Sequence, residues 1–155
     1  MRKKIVAGNW KMNKTYKESK ALVKELKKEV SGIKLKNTRV IIAPPFTNLQ
    51  KISKRAKDTV IEVAAQNMCA EESGAFTGEV SASMIKSVHV DTVILGHSER
   101  RAYFGETNES LAKKVDTALK NKLEIIFCFG EVLEDRKSGN HFSVVEEQIK
   151  KALFH

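Results

Sequence analysis

The sequence contains little of what marks the unusual protein classes. Of its 155 residues only two are cysteines, two are prolines and eight are glycines, and aromatic residues make up 6%. This composition excludes collagen-like, disulfide-rich and disordered chains. No apolar run approaches the roughly 20 residues that span a bilayer, and Asn9 and Lys11 end the first apolar run too early for a signal peptide. We therefore expect one soluble, cytoplasmic domain over residues 1–155, with no membrane contact.

Metal-ligand spacing is also missing. Cys69 and Cys128 do not form a Cys-x-x-Cys pair, which argues against a zinc ribbon or a redox motif. The histidines do not form a His-x-x-x-His pair either; they are His89, His97, His141 and His155. We expect no metal and no organic cofactor.

The formal net charge of +9 is compatible with an anionic partner such as a nucleic acid. The excess is mostly lysine without aromatic residues between, for example Lys17, Lys20, Lys24, Lys27 and Lys28. Lysines in this arrangement are typical of a solvated helix face, so we expect no nucleic-acid partner.

Short runs rich in valine and isoleucine alternate with helical patterns along the whole chain. Uniformly apolar strands are typical of a parallel sheet that is covered on both faces. The predicted strands are Ile5–Asn9, Arg39–Ala43, Val60–Gln66, Thr92–Gly96 and Glu124–Phe129. A capping box at Thr15 and a cap at Thr107 begin two of the five predicted helices. Five β-α units in this order predict a parallel α/β fold.

Polar and titratable residues follow the ends of these strands. Asn9 and Lys11 follow the first strand, and His97 and Glu99 follow the fourth. Since sites in parallel α/β folds form at the carboxyl ends of strands, the four residues are candidate site residues, provided that the sheet curls toward a barrel. Lys11 would then neutralise an anionic substrate and Asn9 would donate an amide hydrogen bond; the alternative for Lys11 is a solvated loop residue.

His97 lies between a buried strand and a predicted helical turn that starts at Ser98. A helix N-terminus favours the neutral imidazole, which can donate one N–H to a substrate oxygen. The alternative is a satisfied core histidine. Glu99 is a candidate general base, but we expect it to pair with Lys11, Arg100 or Arg101 instead.

A long loop, Gly74–Ala82, carries Phe76 at its tip and has two glycines. It is either an ordinary mobile loop or a segment that inserts into a partner's pocket.

Taken together, "AGNWKMN", "AAQN", "SGAFTGEVSA", "VILGHSERR" and "CFGE" resemble the triosephosphate isomerase family in order and spacing. The resemblance implies a (β/α)₈ barrel that interconverts dihydroxyacetone phosphate and D-glyceraldehyde 3-phosphate in glycolysis and gluconeogenesis, usually as a homodimer. A neutral catalytic histidine is an established property of this family.

Carried over by motif, the resemblance implies that Asn9 and Lys11 contact the triose phosphate. It implies that His97 polarises the substrate carbonyl and that Glu99 holds Lys11. Cys128 resembles the family's buried cysteine, and the loop around Phe76 and Thr77 resembles the segment that docks into the other subunit.

A complete barrel typically has about 250 residues, so five β-α units correspond to an incomplete barrel of about 60% of that length. Motifs for the family's catalytic glutamate, its lid and its phosphate-binding loops do not occur in the 155 residues. We expect little or no isomerase activity from this truncated chain alone. The alternative is a non-catalytic interaction module that pairs through open strand edges or through the Phe76 loop.

Overall fold

The structure is a computed structural model that describes residues 2–154. Strands and helices alternate along it. The strands are β1 (Lys4–Asn9), β2 (Thr38–Ala43), β3 (Ile61–Ala65), β4 (Thr92–Leu95) and β5 (Glu124–Phe127). The helices are α1 (Tyr16–Val30), α2 (Phe46–Ala56), α3 (Ala82–Ser87), α4 (Ser98–Phe104), α5 (Asn108–Lys120), α6 (Leu133–Ser138) and α7 (His141–Leu153). This order confirms the predicted α/β class, an incomplete (β/α)₈ barrel of five β-α units.

The contacts of the chain group into two compact units. The first unit extends to Gln66 and also includes Met84–Thr92, and the second comprises Asn67–Ser83 and the chain from Val93 onward. In the first unit β1 pairs in parallel with β2, and β2 pairs in parallel with β3. The parallel pairing is what the uniformly apolar strands predicted.

The core of the first unit lies between its strands and helices. Helix α1 packs against α2, and α2 packs against β3. Val23 on α1 and Ile52 on α2 are almost completely buried, as is Ile41 on β2. Burial of this apolar face, more than helix propensity, stabilises the two helices.

Two helices begin at the N-cap residues that the sequence predicted. Thr15 caps α1 in a capping box, in which its own N–H donates to the Glu18 carboxylate at 2.7 Å. Hydrogen bonds from Thr15 hold the pKa of Glu18 below its ordinary value. Thr107 caps α5 in the same manner, since its Oγ1 accepts the Ser110 N–H at 3.1 Å.

Helix α5 supplies much of the core of the second unit and packs against α7. Its apolar face contains Leu111 and Val115, which are buried. Lys114 is buried beside them, and its ammonium donates to Asn67 Oδ1 at 2.9 Å and to the Glu106 carboxylate. The pairing with a carboxylate and an amide compensates the desolvation of this charge.

Three features differ from the sequence prediction. Helix α2 begins at Phe46, two residues before the start of the helix that the sequence pattern predicts over Asn48–Lys57, because Pro45 serves as its N-cap residue. A separate short helix, α6, follows β5 and ends at Gly139, whose φ of +79° stops it. Finally, strand β1 lacks the cover on both faces that its apolar sequence predicted. Ile5 is 47% exposed and Val6 is 62% exposed, because no described element packs over them.

Among residues 2–154 no helix has both the length and the apolar character that crossing a bilayer requires.

The burial of α2 can be tested with a matched pair of isoleucines. Ile52→Ala, at a side chain that is 0% exposed, should lower the free energy of unfolding by about 2–5 kcal/mol. Ile33→Ala, at a side chain that is 54% exposed, should change it by about 0.5 kcal/mol or less. Urea unfolding followed by circular dichroism measures both; equal losses would contradict this packing.

Candidate active site

Strand β1 ends at Asn9, and the chain turns sharply after it. The Asn9 side-chain Oδ1 accepts the N–H of Lys11 at 2.9 Å. Lys11 has a φ of +53°, which is uncommon for a residue other than glycine and is found mostly where the surroundings enforce it. Asn9 therefore fixes the backbone from which the exposed Lys11 side chain projects.

Gln66, which directly follows β3, holds the same turn from the other side. Its Nε2 donates to the Lys11 carbonyl at 3.0 Å and to the Ala43 carbonyl at 2.7 Å. The Ala43 carbonyl also accepts the Trp10 N–H at 3.1 Å. Gln66 thus connects the carboxyl ends of β1 and β2. Sequence reasoning quoted this residue within a motif but assigned it no role, because its partners are distant in sequence.

In the second unit, the backbone turns at Gly96 between β4 and His97. Gly96 has a φ of +76°, and a Cβ at this position would lie 2.7 Å from the Cys128 carbonyl oxygen. Only glycine fits without a shift of the backbone. His97 then serves as the N-cap residue of α4, as the predicted helical turn required.

The His97 ring is oriented by the first turn of this helix. Its Nδ1 accepts the backbone N–H of Glu99 at 3.2 Å. A nitrogen that accepts an N–H carries no proton, so the neutral ring has its proton on Nε2. In this tautomer His97 presents an N–H donor, which is the group that can polarise a carbonyl oxygen.

The Glu99 carboxylate lies 3.5 Å from the same His97 Nδ1. This distance alone would fit an ion pair with a protonated ring. The hydrogen bond from the Glu99 N–H to the same nitrogen fits an unprotonated Nδ1 instead. Within the second unit the structure therefore brings the His97 ring and the Glu99 carboxylate together.

Each of the two arginines after Glu99 binds groups within the second unit. Arg100 donates from Nε to the buried Glu106 carboxylate at 3.2 Å, and its guanidinium lies over the Phe104 ring. Arg101 donates from Nε to the Gly96 carbonyl at 3.0 Å.

Glu131 is the other carboxylate that follows a strand end. Its own backbone N–H and the Arg136 guanidinium hold the pKa of Glu131 below its ordinary value. A carboxylate of lowered pKa is a weaker proton acceptor near neutral pH. Cys128, three residues earlier, is half-buried, and burial raises the pKa of its thiol.

The loop that carries Phe76 and Thr77 is closed at its base and exposed at its tip. The Cys69 N–H donates to the Val80 carbonyl at 2.8 Å, and the Glu79 N–H donates to the Phe76 carbonyl at 3.0 Å. The Phe76 ring is about half exposed, and Thr77 is exposed. The loop is thus an ordered protrusion with an aromatic tip, rather than an irregular connection.

Residues 2–154 contain no group of three or more His, Cys, Asp or Glu side chains that could hold a metal ion. The first unit offers an ammonium and an amide, and the second unit offers an imidazole.

These observations describe a parallel α/β protein whose polar side chains follow strand ends, the location of the active sites of barrel enzymes. The triosephosphate isomerase family model matches residues 4–155, and the chain belongs to that family.

Relatives from several bacteria agree with the family assignment. The chain is 55% identical to the triosephosphate isomerase of Flavobacterium johnsoniae over 156 residues, which cover 100% of this chain and 61% of that protein. It is 53% identical to the triosephosphate isomerase of Flavobacterium psychrophilum, again over 100% of this chain and 61% of the relative. The identity to that of Porphyromonas gingivalis is 54%, over 99% and 61%. The chain therefore spans about 61% of the length of these relatives.

Two glycines with positive φ test the crowding beside His97. Gly96→Ala and Gly105→Ala both force a Cβ into the left-handed region, at about 1–2 kcal/mol each. Only Gly96→Ala also presses against the Cys128 carbonyl, and we expect it to lose a further 1–3 kcal/mol, roughly the effect of overpacking. Denaturant unfolding of the two variants gives the difference; a smaller loss at Gly96 would refute this account.

Proposed function

We propose that this chain carries the electrophilic and substrate-binding part of a triosephosphate isomerase. The observation that carries the proposal is the hydrogen bond from the Glu99 N–H to His97 Nδ1, which leaves Nε2–H as a donor. The reaction would interconvert dihydroxyacetone phosphate and D-glyceraldehyde 3-phosphate through an enediolate, without metal or cofactor. Such an enzyme serves glycolysis and gluconeogenesis in the cytoplasm.

The side chains have distinct roles in this proposal. Lys11 neutralises the phosphate-bearing substrate, and Asn9 both contacts the substrate and holds the Lys11 backbone through its Oδ1. His97 donates from Nε2 to the substrate carbonyl oxygen as a base removes a proton from the neighbouring carbon. The developing enediolate charge is then stabilised by a donor that is already in place. Glu99 acts as the counter-charge of Lys11.

We propose that the base itself is not among these 155 residues. Glu131 is engaged by Arg136 with a lowered pKa, and the Glu99 carboxylate lies against the acceptor nitrogen of His97. Neither is suited to remove a carbon-bound proton. General base catalysis contributes about 10²–10⁴-fold, so the chain alone should show little or no turnover.

In the complete protein we propose a homodimer in which the loop tip with Phe76 and Thr77 docks into the second subunit. The half-exposed Phe76 ring supports this, since exposed aromatic tips commonly anchor interfaces. We further propose that residues 1–155 fold as one domain.

Activity of the isolated chain provides the first test. In a coupled assay, the purified chain should show no turnover above background. Addition of the separately expressed remainder of the Flavobacterium johnsoniae relative should restore it. Turnover of the chain alone within about tenfold of the full-length relative would refute the missing base. Failure of restoration under refolding conditions that fold both pieces would count against the family activity.

A matched pair of histidines tests the electrophile in the completed enzyme. His97→Asn should lower kcat about 10²–10³-fold, the usual effect of removing one preorganised donor. His89→Asn should stay within about twofold, since His89 is exposed and asparagine tolerates its φ of +59°. Equal effects of the two substitutions on kcat would contradict a catalytic role of His97.

The exposed apolar residues of β1 favour a second candidate function, a non-catalytic pairing module. Ile5 and Val6 expose apolar side chains on the two opposite faces of β1, and another chain could cover them. Light scattering distinguishes the two: this alternative expects stable association of the chain without any response to triose phosphates, whereas a soluble monomer would exclude it.

A further inference from the structure

We propose that Arg101 is a positioning residue for His97. Its guanidinium holds the Gly96 carbonyl and thereby fixes the peptide from which the imidazole projects toward the Glu99 N–H. The catalytic meaning of this inference rests on the proposed function of His97, but its structural content can be measured without any turnover.

The guanidinium of Arg101 bonds to three separate stretches of the second unit. Nε donates to the Gly96 carbonyl at 3.0 Å, Nη1 to Asn108 Oδ1 at 2.7 Å, and Nη2 to the Cys128 carbonyl at 3.4 Å. These are the end of β4, the first turn of α5 and the residue after β5. Because the guanidinium is planar and rigid, its three nitrogens fix these acceptors in one relative geometry.

The Gly96 carbonyl is the contact that matters for His97. That carbonyl and the His97 N–H belong to one planar peptide unit, so a bond to the oxygen fixes the plane that enters His97. Glycine has the broadest conformational freedom of all residues, and Gly96 is held at a φ of +76°. A donor from outside the strand is therefore needed to select this one orientation.

The carboxyl side of His97 is held independently. Its carbonyl accepts the N–H of Arg100 at 2.8 Å and the N–H of Arg101 at 3.2 Å, as the first turn of α4. The Arg101 side chain thus fixes the peptide before His97, and the helix backbone fixes the peptide after it. With both peptides held, the ring has the rotational freedom of its side chain alone, and the Glu99 N–H selects among those rotamers.

Arg101 differs from its neighbour in the kind of group that it binds. Arg100 meets a carboxylate, Glu106, whereas Arg101 binds carbonyl oxygens and an amide oxygen. Burial lowers the pKa of the Arg101 guanidinium, and the Glu106 carboxylate opposes that shift. A half-buried cation whose donors bind neutral oxygens serves geometry rather than charge balance.

A purely structural role for Arg101 would join β4, α5 and β5 without affecting the ring of His97. The two roles predict different spectra. Ring ¹⁵N shifts of histidine report which nitrogen carries the proton, and a general loss of stability does not move them while the chain stays folded.

The experiment uses the 155-residue chain labelled with ¹⁵N in its histidine rings, and His97→Asn identifies the His97 signals. In the unsubstituted chain, Nδ1 should have the shift of an unprotonated nitrogen and Nε2 that of a protonated one. In Arg101→Met the two shifts should move toward each other, because the ring loses its fixed orientation. Thr117→Val is the control: it removes a 2.6 Å bond to the Ala70 carbonyl in the same unit but leaves Arg101 intact.

Unchanged His97 shifts in Arg101→Met would overturn the inference, as would mixed tautomers in the unsubstituted chain. If Arg101→Met does not fold, Arg101→Lys is decisive: it keeps the charge and loses the fork of donors. A smaller shift in the same direction is then expected, and no shift overturns the proposal.

Kinetics of the completed enzyme separate this inference from the proposed function. Arg101→Met should lower kcat by about 10²-fold with KM nearly unchanged, the size expected for a misplaced catalytic group. No activity in the unsubstituted complex would count against the proposed function, while the His97 shifts would still decide the role of Arg101.

Discussion

The candidate site depends on one hydrogen bond, from the backbone N–H of Glu99 to Nδ1 of His97. That bond sets the tautomer of the ring and therefore decides whether the group at the end of β4 is a donor or an acceptor. The chain turns at Gly96 immediately before this histidine, and any side chain at Gly96 would meet the Cys128 carbonyl. The chemistry of the imidazole is thus determined by backbone geometry before any substrate is bound.

In both units a side chain donates hydrogen bonds to backbone carbonyls at the ends of strands. Backbone carbonyls at the end of a strand can accept side-chain donors in addition to any backbone N–H, and such bonds fix the chain where it leaves the sheet. In the first unit Gln66 donates to the carbonyls of Lys11 and Ala43; in the second, Arg101 donates to those of Gly96 and Cys128. One amide and one guanidinium therefore organise the backbones that present the candidate ammonium and imidazole.

Much of this fold was predictable because its signals are local. The capping box at Thr15 and the N-cap at Thr107 depend only on residues within three positions, and the structure contains both. The exposure of Val6 was not predictable, since strand composition records the tendency to be buried but not whether a covering element is present. The roles of Gln66 and Arg101 were also missed, because each depends on acceptors that come close only after the strands have paired.

The way in which Arg101 recognises its partners has an evolutionary consequence. At position 128 it binds the backbone oxygen, and every amino acid has one. The thiol of Cys128 can therefore vary under other selective pressures without loss of this contact. Gly96 cannot be substituted in the same way, since the absence of a Cβ there leaves room for the guanidinium. Two positions that meet the same side chain are thus expected to drift at very different rates among related sequences.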